Sequence, residues 1–193
     1  MSRVQDFGPA PLDEPNAYPG MWPTGAVMVD QDEVVPILSP LPALMSEQGR
    51  TAVMAYGANA CPAQLARKEL PGQVVLTPTV LRNHLVVYAD HVTAYGAVPA
   101  TVVRWPGASC SVFVLWLTPA QHLALDVTEG GRCDRVLLPT DHGLVVAYRA
   151  RTGFTASAMR QPIRLAAVSC SGQGLPPAMS QAELGLHRRA MAG

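Results

Sequence analysis

The stretch Thr51-Ala-Val-Met-Ala-Tyr56-Gly57-Ala58-Asn59 decides the reading of the chain. Thr51 to Tyr56 is a short apolar run without a turn residue, and Gly57 breaks it. That pattern predicts a buried strand ending in a loop. Asn59 is an N-cap residue type, Pro62 falls near a first helical turn, and Ala63 to Glu69 are good helix formers. A strand therefore passes into a helix across a glycine. Such a junction presents successive backbone N–H groups at a helix N-terminus, which favours an anion. Gly57 allows a ligand close to the backbone.

Outward from this junction the chain is rich in strands. Val74–Leu76 and Leu85–Tyr88 read as strands, and Pro71-Gly72 closes the helix before them. Ala97–Val103 and Ser109–Leu117 read as a pair joined by a turn at Trp105-Pro106-Gly107. Thr118 caps a helix with Pro119 at its first position, and Ala120 to Asp126 continue it. Val136–Leu138 and Leu144–Ala150 form a second pair around Thr140 to Gly143, and Pro162–Val168 is a last strand. Ser180 caps a C-terminal helix with Glu183 in the reciprocal position. Strands lead directly into strands, so regular βαβ alternation is excluded. The prediction is an α+β fold: a closed or nearly closed mixed sheet with flanking helices.

The first fifty residues differ. They hold eight of the 18 prolines (Pro9, Pro11, Pro15, Pro19, Pro23, Pro36, Pro40 and Pro42). Proline fixes φ and removes a donor, which forbids a long helix there. Tyr18, Met21, Trp22, Val27, Val29, Val34 and Ile37 nevertheless give the segment apolar weight. Residues 1–49 read as a proline-rich strap over the main domain, with a short hairpin between Gly25 and Ile37. Residues 50–193 form the barrel domain with its C-terminal helix.

Composition narrows the function. The chain has 193 residues, 49% of them hydrophobic and only 15% charged, against about 25% in typical domains. It is globular and has room for one domain. Fourteen basic residues balance fourteen acidic ones, so there is no electrostatic footprint for nucleic acid. Lys68 is the only lysine. No apolar run is long enough for a transmembrane helix, and Met1 to Pro11 lack a basic segment followed by an apolar one. The expectation is a cytoplasmic protein with no membrane partner. Cys61, Cys110, Cys133 and Cys170 form no CxxC pair, and the five histidines are scattered, so no metal site is expected. The four thiols are expected to be reduced.

One carboxyl-bearing stretch and one thiol remain to be weighed. Leu125-Asp126-Val127-Thr128-Glu129 precedes Gly130-Gly131, and a carboxylate at a helix end beside an apolar cavity can serve as an acid or base. Cys61, in the first turn of a helix, is the rival nucleophile.

Taken together, Tyr56-Gly57-Ala58-Asn59 and Leu125-Asp126-Val127-Thr128-Glu129 resemble the γ-glutamylcyclotransferase-like superfamily. Its hallmark is a Tyr-Gly-Ser-Asn loop after the first barrel strand and a Glu shortly after a Leu-Asp. Val98-Pro99-Ala100-Thr101-Val102, Trp105-Pro106-Gly107 and Val112 to Leu117 occupy the intervening places in the same order. The resemblance covers about residues 51–150, roughly half of the chain. It implies a small mixed β-barrel with flanking helices. It also implies that Tyr56, Gly57, Ala58 and Asn59 bind the substrate, its glutamyl carboxylate resting on the loop amides. Glu129 would act as general acid and base. The implied reaction is intramolecular cyclisation of a γ-glutamyl amide or related small amide to 5-oxoproline and an amine, without metal or cofactor. Two positions depart from the family: Ala58 stands for Ser, and Cys133-Asp134-Arg135 stands for a Tyr-Asp-Arg-like run. An alternative reading is a non-catalytic small-molecule binding protein that keeps the cavity. A third has the apolar strap mediate a homodimer.

Overall fold

The computed structural model describes residues 2–38, 49–129 and 131–192. Pro40 and Pro42 of the strap, and Gly130, lie outside the described residues. Eleven strands join in one sheet. They are β1 (Ser2–Arg3), β2 (Val27–Asp30), β3 (Glu33–Pro36), β4 (Thr51–Ala55), β5 (Val74–Tyr88), β6 (Ala100–Leu117), β7 (Cys133–Thr140), β8 (Gly143–Ala150), β9 (Arg164–Leu165), β10 (Cys170–Ser171) and β11 (Ala178–Met179). Among the described residues, three α-helices flank them: α1 (Pro62–Arg67), α2 (Pro119–Glu129) and α3 (Gln181–Ala192).

Five strands close a barrel in the order β5-β7-β8-β4-β6, with β6 pairing back to β5. The β4–β8 pair is parallel and the others are antiparallel, so the barrel is mixed and the fold is α+β. One apolar cluster includes Met54, Tyr56, Leu81, Val112, Val114, Leu138, Val145 and Ala147. A second, from alternate positions such as Val53, Ala55, Phe113 and Leu115, packs with Leu65 of α1 and Leu125 of α2. The period-2 alternation of β4 and β6 thus divides one sheet between two apolar layers.

The strap joins the sheet. Its hairpin is β2–β3, and β2 extends the barrel by pairing with β5 at Val27↔Leu76. Trp22 packs edge-on against Phe113 with ring centroids 6.0 Å apart.

Three expectations need correction. The runs at Val74–Leu76 and Leu85–Tyr88 are one strand, β5. Pro78 falls where β5 has left β2 at Leu76 and not yet met β7 at Leu81, so its missing N–H breaks no ladder bond on that side. Trp105-Pro106-Gly107 is not a turn but the middle of β6. The β5–β6 ladder shifts register between Arg82 and His84, where Asn83 has φ 56° and its Oδ1 accepts the Gly107 N–H at 3.0 Å. A bulge absorbs the proline and glycine that a hairpin would have used. The strand expected over Pro162–Val168 shrinks to Arg164–Leu165.

The cysteines are the fourth correction. Cys110 and Cys170 are direct partners in the β6–β10 pair and form a disulfide, while Cys61 and Cys133 are free. The bond ties the segment after β8 to the barrel. Disulfides persist in oxidising surroundings, which removes the thiol argument for a cytoplasmic setting. Among the described residues, no helix is long and apolar enough to cross a membrane.

Candidate functional site

The barrel carries its cavity at the end of β4. Tyr56 follows the strand, Gly57 caps a 3-10 turn over Ala58–Ala60, and α1 begins at Pro62. The Tyr56 hydroxyl donates to the Tyr148 carbonyl, which fastens the end of β4 to β8. Its hydroxyl is therefore spent on the scaffold, while its ring lines the cavity. Burial raises the Tyr56 hydroxyl well above the usual phenol range.

The second half of the site comes from the end of α2. Thr118 and Gln121 cap each other at the N-terminus of this helix, with Thr118 N–H to Gln121 Oε1 at 3.0 Å and Gln121 N–H to Thr118 Oγ1 at 3.3 Å. Leu125 is fully buried, and Glu129 is one turn further on the same face. Asp126 is fixed by the Tyr148 hydroxyl and by Arg135. With Leu125 in the core and Asp126 anchored, Glu129 is turned towards the β4 loop.

There it meets two partners. Asn59 Nδ2 donates to Glu129 Oε1 at 3.1 Å, and Lys68 Nζ lies 3.3 Å from the same oxygen. Lys68 also donates to Thr128 Oγ1 at 2.8 Å, and that hydroxyl donates to the Leu125 carbonyl at 2.8 Å. A carboxylate at the C-terminus of a helix is unfavourably placed against the helix dipole, and the ammonium offsets this. Burial lowers the Lys68 ammonium from its usual value, and Glu129 acts in the opposite direction.

Glu129, Tyr56, Gly57, Ala58 and Asn59 line one cavity of about 610 Å³, within the range of small-molecule sites. Lys68, His91, Tyr95, Arg132 and Cys133 also line it. Burial, and secondly the Glu129 charge, push the Cys133 thiol up to about 11. His91 is lowered by burial and by Arg132 and Arg188, so its ring is held neutral more readily than usual. Among the described residues, no group of three or more His, Cys, Asp or Glu side chains could hold a metal ion.

Cys61 does not belong to this cavity. It is fully buried with Ala10 and Ala63, and burial raises its thiol. The helix-terminus argument for a thiolate fails because desolvation of the charge outweighs the Gln64, Ala63 and Met21 amides.

Two residues of the site were not foreseen. Lys68 drew notice only as the single lysine, and a lone ammonium in a chain that otherwise uses arginine was the available signal. Tyr18 of the strap lines the same cavity as Glu129. No spacing rule connects it to a loop forty residues later.

No family model matches the chain, and no curated protein matches it. Two solved structures match part of the chain. One is the solution structure of an Arabidopsis thaliana protein, with 22% identity and a TM-score of 0.41 over 52% of this chain. The chain spans 62% of that protein's length. The other is a gamma-glutamyl cyclotransferase, with 15% identity and a TM-score of 0.45, covering 54% of this chain and 68% of that one.

Proposed function

We propose that the protein cyclises a γ-glutamyl amide, or a closely related small amide, to 5-oxoproline and a free amine. The observation that carries this reading is the Asn59–Glu129 hydrogen bond, which joins an acid–base group and a loop of backbone donors in one cavity. The substrate's α-ammonium gives a proton to the Glu129 carboxylate. The freed nitrogen attacks the side-chain carbonyl carbon of its own glutamyl group and closes a five-membered ring. The amide bond to the leaving nitrogen breaks as Glu129 returns that proton to it, and the second proton shed by the ring nitrogen leaves with the departing amine, which goes as an ammonium. No enzyme nucleophile takes part. The cavity folds the substrate so that amine and carbonyl meet, and the loop amides hold its carboxylate.

The test is product formation. The protein is incubated with a panel of γ-glutamyl amines and γ-glutamyl dipeptides, and 5-oxoproline is measured by mass spectrometry. The reading expects turnover of at least one member, lost in Glu129→Gln. Undiminished turnover in Glu129→Gln would remove that residue from the mechanism. Binding of the panel without product would favour a non-catalytic binding protein.

A further inference from the structure

The Tyr18 side chain comes from the strap yet ends inside the barrel site. It is 6% exposed, and its hydroxyl oxygen accepts the Ala100 N–H at 2.6 Å. Gly57 passes directly beneath it, and a Cβ at that position would collide with Tyr18 Oη. The glycine is therefore required for the strap to reach the loop as well as for a ligand to do so.

A phenolic hydroxyl has two acceptor positions and one proton. Here the Ala100 N–H addresses the oxygen, and no acceptor for the proton is found among the described residues. A buried donor without an acceptor costs free energy unless something supplies one. Tyr18, Gly57, Ala58 and Ala100 all line the cavity, so the missing acceptor is to be sought there.

We propose that Tyr18 is a further donor of the anion cradle, giving its hydroxyl proton to the carboxylate held by the loop amides and replacing the side-chain hydroxyl that the loop lacks at Ala58. This rests on the cyclotransferase reading of the cavity. It gives the strap a function: the site is complete only with residues from both segments of the chain.

The strap is a fixed wall rather than a plug that leaves. Leu12 N–H donates to Gln64 Oε1 at 2.9 Å, and Asp13 pairs with Arg67 at 2.6 Å, both on α1. On the other side of Tyr18, a Cβ at Gly20 would lie 2.6 Å from Cys61 Sγ, so the strap is in close contact there too. Tyr18 is held on both flanks by the helix that follows the loop.

The experiment measures binding, not turnover. The ligands are 5-oxo-L-proline, which carries the carboxylate, and 5-oxo-L-prolinamide, which does not. Both are titrated by NMR into wild type, Tyr18→Phe and Tyr88→Phe. Tyr88 donates to the Met179 carbonyl at 3.0 Å outside the cavity and controls for lost stability. The proposal expects Tyr18→Phe to bind 5-oxo-L-proline about tenfold more weakly, with prolinamide affinity unmoved and Tyr88→Phe equal to wild type. Adding Ala58→Ser to Tyr18→Phe should restore part of the loss. Equal affinity of Tyr18→Phe and wild type for 5-oxo-L-proline overturns the proposal and leaves the cyclotransferase reading standing. Failure of wild type to bind either ligand overturns both. If Tyr18→Phe does not fold, wild type decides alone: 5-oxo-L-proline must shift the Ala100 amide resonance, and a stationary signal overturns the proposal.

Discussion

Asn59 and Glu129 are seventy residues apart in the chain and joined by a 3.1 Å hydrogen bond, with Lys68 3.3 Å from the same carboxylate oxygen. Both partners of Glu129 come from the segment that follows β4. The Tyr56–Asn59 loop and both partners of Glu129 are therefore one continuous piece of chain. Any shift of α1 disturbs the loop and the two partners of Glu129 together.

This arrangement makes Lys68 a positioning residue. Lys68→Met removes the ammonium from a side chain that is only 12% exposed and leaves Glu129, at 21%, without its cation. Stability should fall by roughly 1–3 kcal/mol in thermal or urea unfolding. In the 5-oxoproline assay, kcat should fall about tenfold or more while KM changes little. The acid limb of the pH–rate profile should also move. A variant that loses stability but keeps kcat and the profile would reduce Lys68 to a scaffold residue.

Gly57 and Tyr18 should be energetically coupled. Gly57→Ala drives a methyl group into Tyr18 Oη, with Ala100 Cβ at 3.1 Å on the other side. The cost should be about 1–3 kcal/mol of stability. Tyr18→Phe removes the oxygen that is struck, so the double variant should be more stable than the sum of the single losses by about 0.5 kcal/mol or more. Additive losses would mean that the two residues do not touch as described.

Stability should decline in alkali. The hydroxyls of all five tyrosines (Tyr18, Tyr56, Tyr88, Tyr95 and Tyr148) are raised above 10.0, in each case chiefly by burial. The Cys61 and Cys133 thiols are likewise raised above 9.0 by burial. Above those ordinary values the unfolded chain has lost protons that the folded chain keeps, so the stabilisation is full below about pH 9 and is lost as pH rises. Lys68 is shifted the other way and opposes the trend by at most one proton. Melting temperature followed from pH 8 to 11 should be level at first and then fall steeply. A level curve through pH 11 would contradict the burial of these groups.

Reduction of the Cys110–Cys170 disulfide opens a loop spanning 60 residues. Cys170→Ala should therefore lose about 2–4 kcal/mol relative to the oxidised protein. Mass spectrometry of protein alkylated after denaturation without reductant should find two free thiols, at Cys61 and Cys133. Four alkylated cysteines would contradict the pairing.

Much of the architecture was legible locally. The capped helix starts at Thr118 and Ser180, and the β2–β3 hairpin between Gly25 and Ile37, follow from residues within a few positions of one another. What local reading missed depends on distant neighbours. Pro78 and Trp105-Pro106-Gly107 look like breaks until the opposing strand supplies a gap in one ladder and a bulge in another. The disulfide needs Cys110 and Cys170 to face each other across two strands. Of the residues lining the cavity, the loop and Glu129 could be named through the family resemblance rather than from residue types alone. Lys68 and Tyr18 could not, because each is set by packing between segments far apart in the chain.

The most direct measurement is a crystal structure of Glu129→Gln with a γ-glutamyl amide bound. The account predicts the glutamyl carboxylate within hydrogen-bonding distance of the Gly57–Asn59 amides, and the scissile amide beside the side chain at position 129. Ligand density elsewhere on the protein, or in the cavity with the carboxylate turned away from those amides, would contradict it.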